Sequence, residues 1–416
     1  MSDSPLICLV APGHVSTTPR LVKNADALAA AGYHVHVVTG SPSPLNDDQD
    51  RTILARVTWS HASTRHRSGG GSFVRKVRRQ LARAAARWKK SLPTPTAALG
   101  LDADADLLAA LAAETPAQLF FGHALSGLPA AVAAARTRGV PAAFDIEDFH
   151  DAETAYALAS PVERRLRRTL QERLLPACRL LTCASPLIGV EIQATYGIAP
   201  LVLNNVFPLS EAPPVPVMPL PVSEGRPAVL YWFSQTVGPG RGLEAIVEVA
   251  ARMRLPVELH LRGQVAADYA SFLQTRAVAA GLRRPLRFLP LAPPAQMVRL
   301  AMAADLGLAL EESTPLSRDL CLTNKIFAYL MAGIPQLMTP TSAQRQLASE
   351  LGDAALVCDL GQAESTARQL DELLSDPDRT SRARYTARTL AQDRFCWDHE
   401  KALLLDAVGR IVPHSA

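Results

Sequence analysis

The sequence lacks long apolar runs and has few aromatic side chains, which make up 5% of its 416 residues. No stretch approaches the ~18 uncharged apolar residues that a membrane-spanning helix needs. The first residues (MSDSPLICLVAPG) have neither a basic start nor a long apolar segment, so we expect no signal peptide. These absences favour a cytoplasmic protein that is attached at most to a membrane surface.

Cysteine is also scarce. Six cysteines occur, at positions 8, 178, 183, 321, 358 and 396, with no C-x-x-C spacing and no histidine cluster beside them. A structural zinc site needs such a cluster of nitrogen and sulfur ligands. We therefore expect reduced thiols, most of them in the core, and no structural zinc.

Acidic residues are absent from Arg51 to Leu101, where twelve lysines and arginines occur. Because these twelve exceed the net charge of +4, the rest of the chain is net negative and the basicity is local. Within this stretch, Phe73–Leu92 has eight basic residues, and its apolar residues recur at helical spacing. The sequence predicts an amphipathic basic helix there.

Three interpretations of this helix differ in its partner. It could lie on an anionic membrane surface, where basic groups attract headgroups and tryptophan enters the interface. The residues that would face the lipid are Arg75, Lys76, Arg78, Arg79, Trp88, Lys89 and Lys90. It could instead be an ordinary packed helix with a solvated basic face, or a patch for nucleic acid. Since no nucleic-acid recognition module is present, we expect no nucleic-acid partner.

Short apolar runs alternate with longer amphipathic stretches along the chain, which is typical of βα units with parallel strands. Pro5–Ala11, Tyr33–Thr39 and Ile53–Ser60 predict the first three strands. A second series of such units begins at Ala228–Ser234. We predict an α/β protein with two doubly wound Rossmann-like domains. A ligand would bind at the carboxyl edges of the strands, in the cleft between the domains.

Proline marks the boundary between the two series. Phe207–Pro227 contains seven prolines in 21 residues, a density that neither a helix nor a central strand tolerates. We predict an N-terminal domain at residues 1–206, a linker at 207–227 and a C-terminal domain at 228–394. Residues 395–416 predict a terminal helix that packs back toward the N-terminal domain.

A glycine-rich segment, SQTVGPGRGLE, follows the first strand of the second domain and opens a helix. Gly238, Gly240 and Gly242 permit a tight turn and a close approach of the backbone to a ligand. The N–H groups of the helix start and the charge of Arg241 favour an anion, and together they suit a diphosphate. A plain strand-to-helix turn is the alternative.

A second polar loop follows a buried strand of the same domain. It opens with Glu311 and Glu312, and Thr323 is placed to cap a helix that begins near Asn324. Lys325 lies in the first turn of that helix, where a cation opposes the helix dipole, so we expect it to have an anionic partner. A solvated loop with a solvated lysine is the alternative.

The first domain has a comparable loop, GHVSTTPR, after its first strand. Backbone amides from Gly13 onward, together with Ser16, Thr17 and Arg20, could contact the same anion. The alternative is a capped helix start with Pro19 at the first helical position.

Acidic residues are concentrated after another predicted strand, in Ala143–Glu153 (AFDIEDFHDAE). Glu147 or Asp148 could accept or orient the proton of an acceptor hydroxyl group. His123, at the end of a neighbouring strand, is a further candidate for a sugar pocket. The alternatives are an acidic helix start and a hydrogen-bonded structural histidine.

These motifs, in this order and spacing, resemble those of the retaining GT-B glycosyltransferases related to glycogen synthase and to bacterial polysaccharide transferases (glycosyltransferase family 4-like). GPGRGLE is similar to the phosphate-binding turn of that family, with Arg241 where lysine is usual. Asn324–Pro335 is similar to the family pattern NK-[IL]-[FY]-E-Y-[LM]-A-x-G-x-P. Glu258–Gly263 and Leu286–Leu291 are similar to two further family elements, and the resemblance spans most of residues 5–400.

The resemblance implies a nucleotide diphosphate sugar as donor and a glycan or lipid-linked acceptor. It also implies a role in cell-surface polysaccharide synthesis, retention at the anomeric carbon, no metal and no cofactor. The catalytic candidates are His123, Glu147, Asp148, Arg241 and Lys325. The donor-binding candidates are Gly13, Ser16, Thr17, Gly238, Gly240, Gly242, Gly263, Glu311, Glu312, Thr323 and Asn324.

The sequence departs from the family pattern at two positions. The family usually has glutamates where this chain has Ala328 and Leu320, and the first of these glutamates binds ribose. Glu311 or Glu312 could replace a missing carboxylate from the longer loop. Two other function classes stay open: an epimerase of UDP-N-acetylglucosamine, and a relative without catalysis that binds a nucleotide-sugar.

Overall fold

The structure is a computed structural model that describes residues 4–40, 46–67, 72–153, 160–214 and 221–413. It divides into two units. Unit 1 consists of residues 1–203 and 401–416, and unit 2 consists of residues 204–400. The proline-rich segment 207–227 belongs to unit 2, and its residues 215–220 lie outside the described residues.

Unit 1 contains a seven-stranded parallel sheet in the order β3-β2-β1-β4-β5-β6-β7. Its central strands are buried on both faces, as a parallel sheet covered by helices requires. The strands are β1 (Leu6–Ala11), β2 (His34–Thr39), β3 (Ser60–Ser63), β4 (Leu119–His123), β5 (Ala142–Ile146), β6 (Leu180–Cys183) and β7 (Leu201–Val202). The helices are α1 (Pro19–Ala30), α2 (Asp47–Leu54), α3 (Ser72–Trp88), α4 (Thr94–Leu101), α5 (Ala105–Glu114), α6 (Gly127–Arg138), α7 (Pro161–Leu174) and α8 (Pro186–Tyr196).

The predicted third strand at Ile53–Ser60 is wrong. The apolar pair at its start ends α2 instead, and the strand is Ser60–Ser63. Three aspartates in the first turn of α2 stabilise a helix through its dipole, which the apolar run alone does not reveal. The true strand is a polar edge strand without an apolar run, so the pattern could not mark it.

Unit 2 contains a six-stranded parallel sheet in the order β10-β9-β8-β11-β12-β13. Its strands are β8 (Ala228–Val237), β9 (Val257–Val265), β10 (Arg287–Leu289), β11 (Leu306–Ala309), β12 (Gln336–Met338) and β13 (Ala355–Val357). The helices are α9 (Leu243–Arg252), α10 (Ala267–Ala280), α11 (Met297–Ala301), α12 (Leu316–Leu320), α13 (Asn324–Ala332), α14 (Ser342–Leu351), α15 (Ala363–Ser375), α16 (Pro377–Asp393) and α17 (Trp397–Gly409). Helix α17 begins in unit 2 and ends in unit 1.

Each sheet has one point where the strand order reverses. In unit 1 this point lies between β1 and β4, and in unit 2 it lies between β8 and β11. Open α/β sheets bind ligands just beyond the carboxyl ends of the strands at such a point. The two doubly wound parallel sheets confirm the predicted fold class, and the candidate residues that follow β1, β4, β8 and β11 lie at the two reversal points.

The sequence predicted reduced cysteines, most of them in the core, and no membrane-spanning helix. All six cysteines are free, and four of them are buried. Burial raises the pKa of Cys8 and of Cys183 to about 12, so both are neutral thiols of the core. Within the described ranges, no helix combines the length and the apolar composition needed to cross a membrane.

Candidate functional site

The glycine loop of unit 2, defined as residues 238–242, connects β8 to α9. Gly240 and Gly242 both have φ of +69°, a conformation that side chains other than glycine rarely adopt. A Cβ atom on Gly242 would also lie 3.0 Å from the Cβ of Leu310. Gly238 has neither constraint. The loop therefore turns tightly just before α9, where the first N–H groups of the helix have no acceptor within the helix.

Two arginines at this loop, one within it and one from α12, have no carboxylate partner among the described residues. Arg241 is half-buried and makes no hydrogen bond or ion pair with any described residue. Arg318 of α12 donates a hydrogen bond of 2.6 Å to the carbonyl oxygen of Gly240, and no carboxylate of the described residues lies within 4.0 Å of its guanidinium group. Sequence reasoning missed Arg318, because only the fold brings α12 to the glycine loop.

Lys325 and Glu311 form a buried ion pair beyond β11. The Nζ atom of Lys325 lies 2.7 Å from Oε1 of Glu311, and the two side chains are 8% and 12% exposed. Burial raises the pKa of Glu311, but attraction to Lys325, and then to Arg318 and Arg241, outweighs it and holds the pKa below its usual value. The charges of Lys325, Arg318 and Arg241 therefore all favour the ionised form of Glu311.

The loop before α13 contains an unsatisfied hydroxyl group. Thr323 occupies the N-cap position of α13, as predicted, but its side chain makes no capping hydrogen bond. Its Oγ1 atom is buried and has no partner among the described residues. Since buried polar groups are nearly always paired, this hydroxyl is available to a ligand at the start of α13. Asn324 is exposed. Glu312 is exposed as well, with its Oε2 atom 3.9 Å from the position that a Cβ atom on Gly240 would occupy.

Three other positions of unit 2 have structural roles. A Cβ atom on Gly263 would lie 2.5 Å from the carbonyl oxygen of Ser234, so this glycine permits close packing of β9 on β8. Ala328 and Leu320, where the related family has glutamates, are 0% and 7% exposed. Glu311 is the carboxylate that pairs with Lys325 in this unit.

In unit 1, the loop after β1 is held by Asp50 of α2. The carboxylate accepts a 2.8 Å hydrogen bond from the backbone N–H of Ser16, and it lies 2.7 Å from Nδ1 of His14. Thr17 donates to the carbonyl oxygen of His14. The Oγ atom of Ser16 and Nε2 of His14 are buried without partners among the described residues. His14 and Asp50 were not predicted, since they are 36 residues apart and only α2 brings them together.

Arg20 was expected to face an anion, but the structure directs it into unit 1. It donates two hydrogen bonds of 2.7 Å to Asp145 and one to the carbonyl oxygen of Leu203. Thr182 also donates to Asp145, at 2.5 Å. Burial raises the pKa of Asp145, but attraction to Arg20 outweighs it and keeps the pKa well below its usual value.

His123 ends β4 and is fully buried beside two carboxylates. Its Nδ1 atom lies 3.4 Å from Asp145 and 3.8 Å from Glu147, and neither ring nitrogen has a hydrogen bond with a described residue. Burial lowers the pKa of His123, but the two acidic groups outweigh this and raise it.

His123, Asp145 and Glu147 lie close enough together to be considered as ligands of a metal ion. Both oxygens of Asp145 are already occupied by the guanidinium group of Arg20. A second cation at that carboxylate would be repelled, so the arrangement does not fit a metal.

The acidic segment after β5 lines a cleft of about 330 Å³ within unit 1. The charged residues that line it are Glu147, Asp148, Glu153, Glu163, Arg79, Arg83 and Arg167. Ala124, which follows His123 and also lines the cleft, has φ of +53°. Strained residues of this kind concentrate at functional sites. The structure thus brings His123, Glu147 and Asp148 to one end of the unit 1 sheet, beside the reversal point.

Helix α3 directs its apolar stripe toward solvent. Five of its apolar side chains are exposed: Phe73 (78%), Val74 (59%), Val77 (40%), Leu81 (65%) and Trp88 (86%). Lys76, Arg78, Lys89 and Lys90 are exposed as well.

The opposite face of α3 packs on the protein. Arg75 pairs with Asp104 at 2.6 Å, and Arg79 donates to the carbonyl oxygen of Gly100. Ala82 and Ala86 are buried between the helix and its neighbours.

The structure is similar to several solved structures, whereas no family model and no curated protein matches the sequence. HepE of Anabaena, in complex with UDP and glucose, is 16% identical with a TM-score of 0.69, over 98% of this chain and 100% of that chain. A glycosyltransferase of Rickettsia africae is 10% identical with a TM-score of 0.70, over the whole of both chains. Sucrose-phosphate synthase of Thermosynechococcus elongatus is 13% identical with a TM-score of 0.70, over 98% of each chain.

The chain has the GT-B fold. At these low identities the similarity concerns the fold, and the residues of the chain must carry any argument about activity. Within the GT-B fold, the candidate residues form two groups. One group is the cation cluster of unit 2, defined as Arg241, Arg318 and Lys325. The other is the His123 group of unit 1, defined as His123, Glu147 and Asp148.

Proposed function

We propose that the protein is a glycosyltransferase that moves a sugar from a nucleotide diphosphate sugar to a glycan or lipid-linked acceptor. The observation that carries this proposal is the cation cluster beside the glycine loop. Arg241 has no hydrogen bond or ion pair among the described residues, Arg318 donates only to a carbonyl oxygen, and Lys325 pairs with Glu311. Such a surplus of positive charge at a helix start is suited to a diphosphate.

The chemistry that follows from this arrangement is electrostatic. As the bond between the sugar and the diphosphate breaks, negative charge develops on the leaving diphosphate. Arg241, Arg318 and the N–H groups at the start of α9 would stabilise this charge, and fixed donors of this type contribute strongly in a site that excludes water. Three protein cations supply the positive charge, so the proposed reaction needs no metal and no further cofactor. The unpaired Oγ1 of Thr323 would donate to the donor beside Lys325.

The acceptor would bind in the cleft of unit 1. Glu147 has a buried Oε1 atom without a hydrogen-bond partner among the described residues, and it can accept the proton of an acceptor hydroxyl. The Nδ1 atom of His123 lies 3.8 Å from Oε1 of Glu147, and the neighbouring acidic groups raise the pKa of His123. Retention at the anomeric carbon is part of the proposal and rests on the family resemblance of the motifs.

Donor binding is tested first, with a thermal-shift screen of UDP-, GDP-, ADP- and dTDP-sugars on the full chain. We expect one nucleotide to raise the unfolding temperature, and Arg241→Ala to abolish that shift. Arg276→Ala is the matched control, because it removes an arginine of unit 2 that pairs with Glu248 away from the loop. No stabilisation by any of the four classes would contradict the proposed donor.

Product analysis then separates transfer from the alternative reaction. With the donor that binds, a glycosyltransferase gives sugar bound to the acceptor, whereas an epimerase converts the nucleotide-sugar without any acceptor. NMR of the anomeric proton in the product reports retention or inversion. Turnover that is unaffected by both Arg241→Ala and Lys325→Ala would exclude the assigned roles.

We further propose that the protein acts on the inner face of the cell membrane, held there by α3. The stripe of Phe73, Val74, Val77, Leu81 and Trp88 is exposed, whereas an ordinary packed helix would bury it. Exposed basic residues border this stripe and would attract anionic headgroups. Flotation with phosphatidylcholine vesicles, with and without phosphatidylglycerol, tests this attachment. Replacement of Leu81 and Trp88 by serine should abolish it.

A further inference from the structure

A basic cleft lies at the carboxyl end of α3, where it meets α7. The cleft has a volume of about 290 Å³, and it is lined by Lys90, Ser91, Leu92, Arg165, Arg168, Thr169, Glu172 and Arg173. The five residues from α7 recur at spacings of three and four, so they form one face of that helix. Four cations and one carboxylate line the cleft, which leaves a clear surplus of positive charge.

The cations of this cleft differ in how they are used. Arg165 donates hydrogen bonds to the carbonyl oxygens of Ala86 and Lys90, and it thereby caps the end of α3. Arg168 pairs with Glu172 at 2.7 Å. Lys90 and Arg173 have no carboxylate within 4.0 Å in the described part of the chain, and Arg173 contacts only the hydroxyl of Ser91 at 3.2 Å. Two charges are thus left for an external anion.

Trp88, the last residue of the apolar stripe of α3, is close in sequence to this cleft. It is 86% exposed and lies two residues before Lys90. Tryptophan settles at the level of the headgroups when an amphipathic helix enters the interface, with its apolar face in the acyl region. With Trp88 at this level, Lys90 and Arg173 would face the phosphate layer.

We propose that this cleft is a binding site for the phosphate of an anionic phospholipid headgroup. Lys90 and Arg173 provide the charge, Ser91 and Thr169 provide hydroxyl donors, and Arg165 holds α3 and α7 together. Binding one headgroup at the end of α3 fixes the direction in which the helix lies on the bilayer. The inference rests on the proposed attachment of α3 to a membrane, and it adds a specific site to that general attraction.

The test uses the full chain and a soluble lipid, so that binding to the cleft is separated from insertion into a bilayer. The probe is dihexanoyl phosphatidylglycerol below its micelle concentration, measured by titration calorimetry. Dihexanoyl phosphatidylcholine and inorganic phosphate are titrated for comparison. We expect saturable binding of the anionic lipid, and at least about tenfold weaker binding of the other two ligands. Phosphatidylcholine has no net charge, and inorganic phosphate has no lipid part, whereas phosphatidylglycerol has both.

Charge-matched variants then locate the site. Lys90→Gln with Arg173→Gln should weaken binding of the soluble anionic lipid by about tenfold or more. Lys76→Gln with Arg87→Gln removes the same charge from α3 outside the cleft, and it should leave this binding unchanged. Lys90→Arg with Arg173→Lys keeps both charges and should bind like the unaltered protein. Lys90 and Arg173 line the cleft, whereas Lys76 and Arg87 do not.

The outcomes separate this site from the attachment of α3. Equal weakening by the two charge-removing variants would overturn the cleft while leaving vesicle attachment in place. Equal affinity for inorganic phosphate and for the lipid would overturn a lipid headgroup as the occupant. If replacing Leu81 and Trp88 by serine abolishes flotation but preserves binding of the soluble lipid, both proposals are supported. Absence of flotation by the unaltered protein would remove the attachment on which the site rests.

Discussion

Arg20 in unit 1 and Arg241 in unit 2 both come after the first strand of their sheets, but their charges are used differently. Arg20 lies in the first turn of α1, and Arg241 lies in the glycine loop before α9. Arg20 is buried and gives two hydrogen bonds to Asp145, so its charge is neutralised inside the fold. Arg241 is half-buried and has no hydrogen bond or ion pair within the described residues. A neutralised guanidinium group stabilises the fold, whereas an unpaired one at a helix start is available to a ligand.

The strongest test of this contrast is Asp145→Asn. The substitution leaves the buried charge of Arg20 uncompensated, and we expect a loss of about 3–5 kcal/mol in the free energy of unfolding. Urea denaturation measures it. The double variant Arg20→Met with Asp145→Leu removes both charges and should recover most of the loss. A small change in Asp145→Asn alone would show that the pair does not support the fold.

Arg241→Ala should behave in the opposite way. We expect turnover of the donor to fall by about 10²–10³-fold, as when one stabilising group for a developing negative charge is removed. The free energy of unfolding without donor should change by less than about 0.5 kcal/mol, because the side chain makes no hydrogen bond or ion pair with a described residue. Steady-state kinetics and urea denaturation on the same sample check both statements. A loss of stability as large as that of Asp145→Asn would show that Arg241, like Arg20, serves to stabilise the fold.

Glu153 is another charged group of unit 1 that is paired within the fold. It extends the comparison to the dependence of stability on pH. Burial raises its pKa, but His150 and Arg167 outweigh this and lower the pKa from 4.5 to about 2. A lowered pKa stabilises the fold above pH 4.5, and this contribution disappears as the pH falls from 4.5 toward 2.

Glu153→Gln should therefore reduce stability at neutral pH, by roughly 1–3 kcal/mol after allowance for partial exposure. It should also flatten the acid side of the stability profile. Denaturation curves from neutral pH to pH 3 give this profile. An acid limb as steep as that of the unaltered protein would show that other carboxylates cause the acid loss.

The smallest expected effect concerns the glycine loop of unit 2. Gly242→Ala forces a side chain into φ of +69° and against Leu310, so we expect a loss of about 1–2 kcal/mol in the free energy of unfolding. Gly238→Ala is the matched control, because its nearest neighbour would be 3.7 Å away, and it should change stability little. Thermal unfolding compares the two. Equal effects would mean that the loop does not need its strained turn.

Local patterns in the sequence predicted the elements well where one signal dominates. Apolar runs located β1 and β2 to within one residue of their observed bounds, and Thr323 marked the N-cap position of α13. The same reasoning misplaced β3, because a polar edge strand contains no apolar run to recognise. It also could not tell whether the capping hydroxyl of Thr323 is used, since that depends on the neighbouring backbone.

The sequence by itself determined that βα units alternate, that glycines precede α9, and that a basic amphipathic helix occupies the acid-free stretch. Each is a matter of composition or of spacing along a few turns of chain. Tertiary structure alone decided which charges stay unpaired and which face of α3 is exposed. Asp145 reaches Arg20 across 125 residues, and α12 delivers Arg318 to the carbonyl of Gly240 across 78. Pairing of charges depends on such long-range proximity, which the order of residues does not contain.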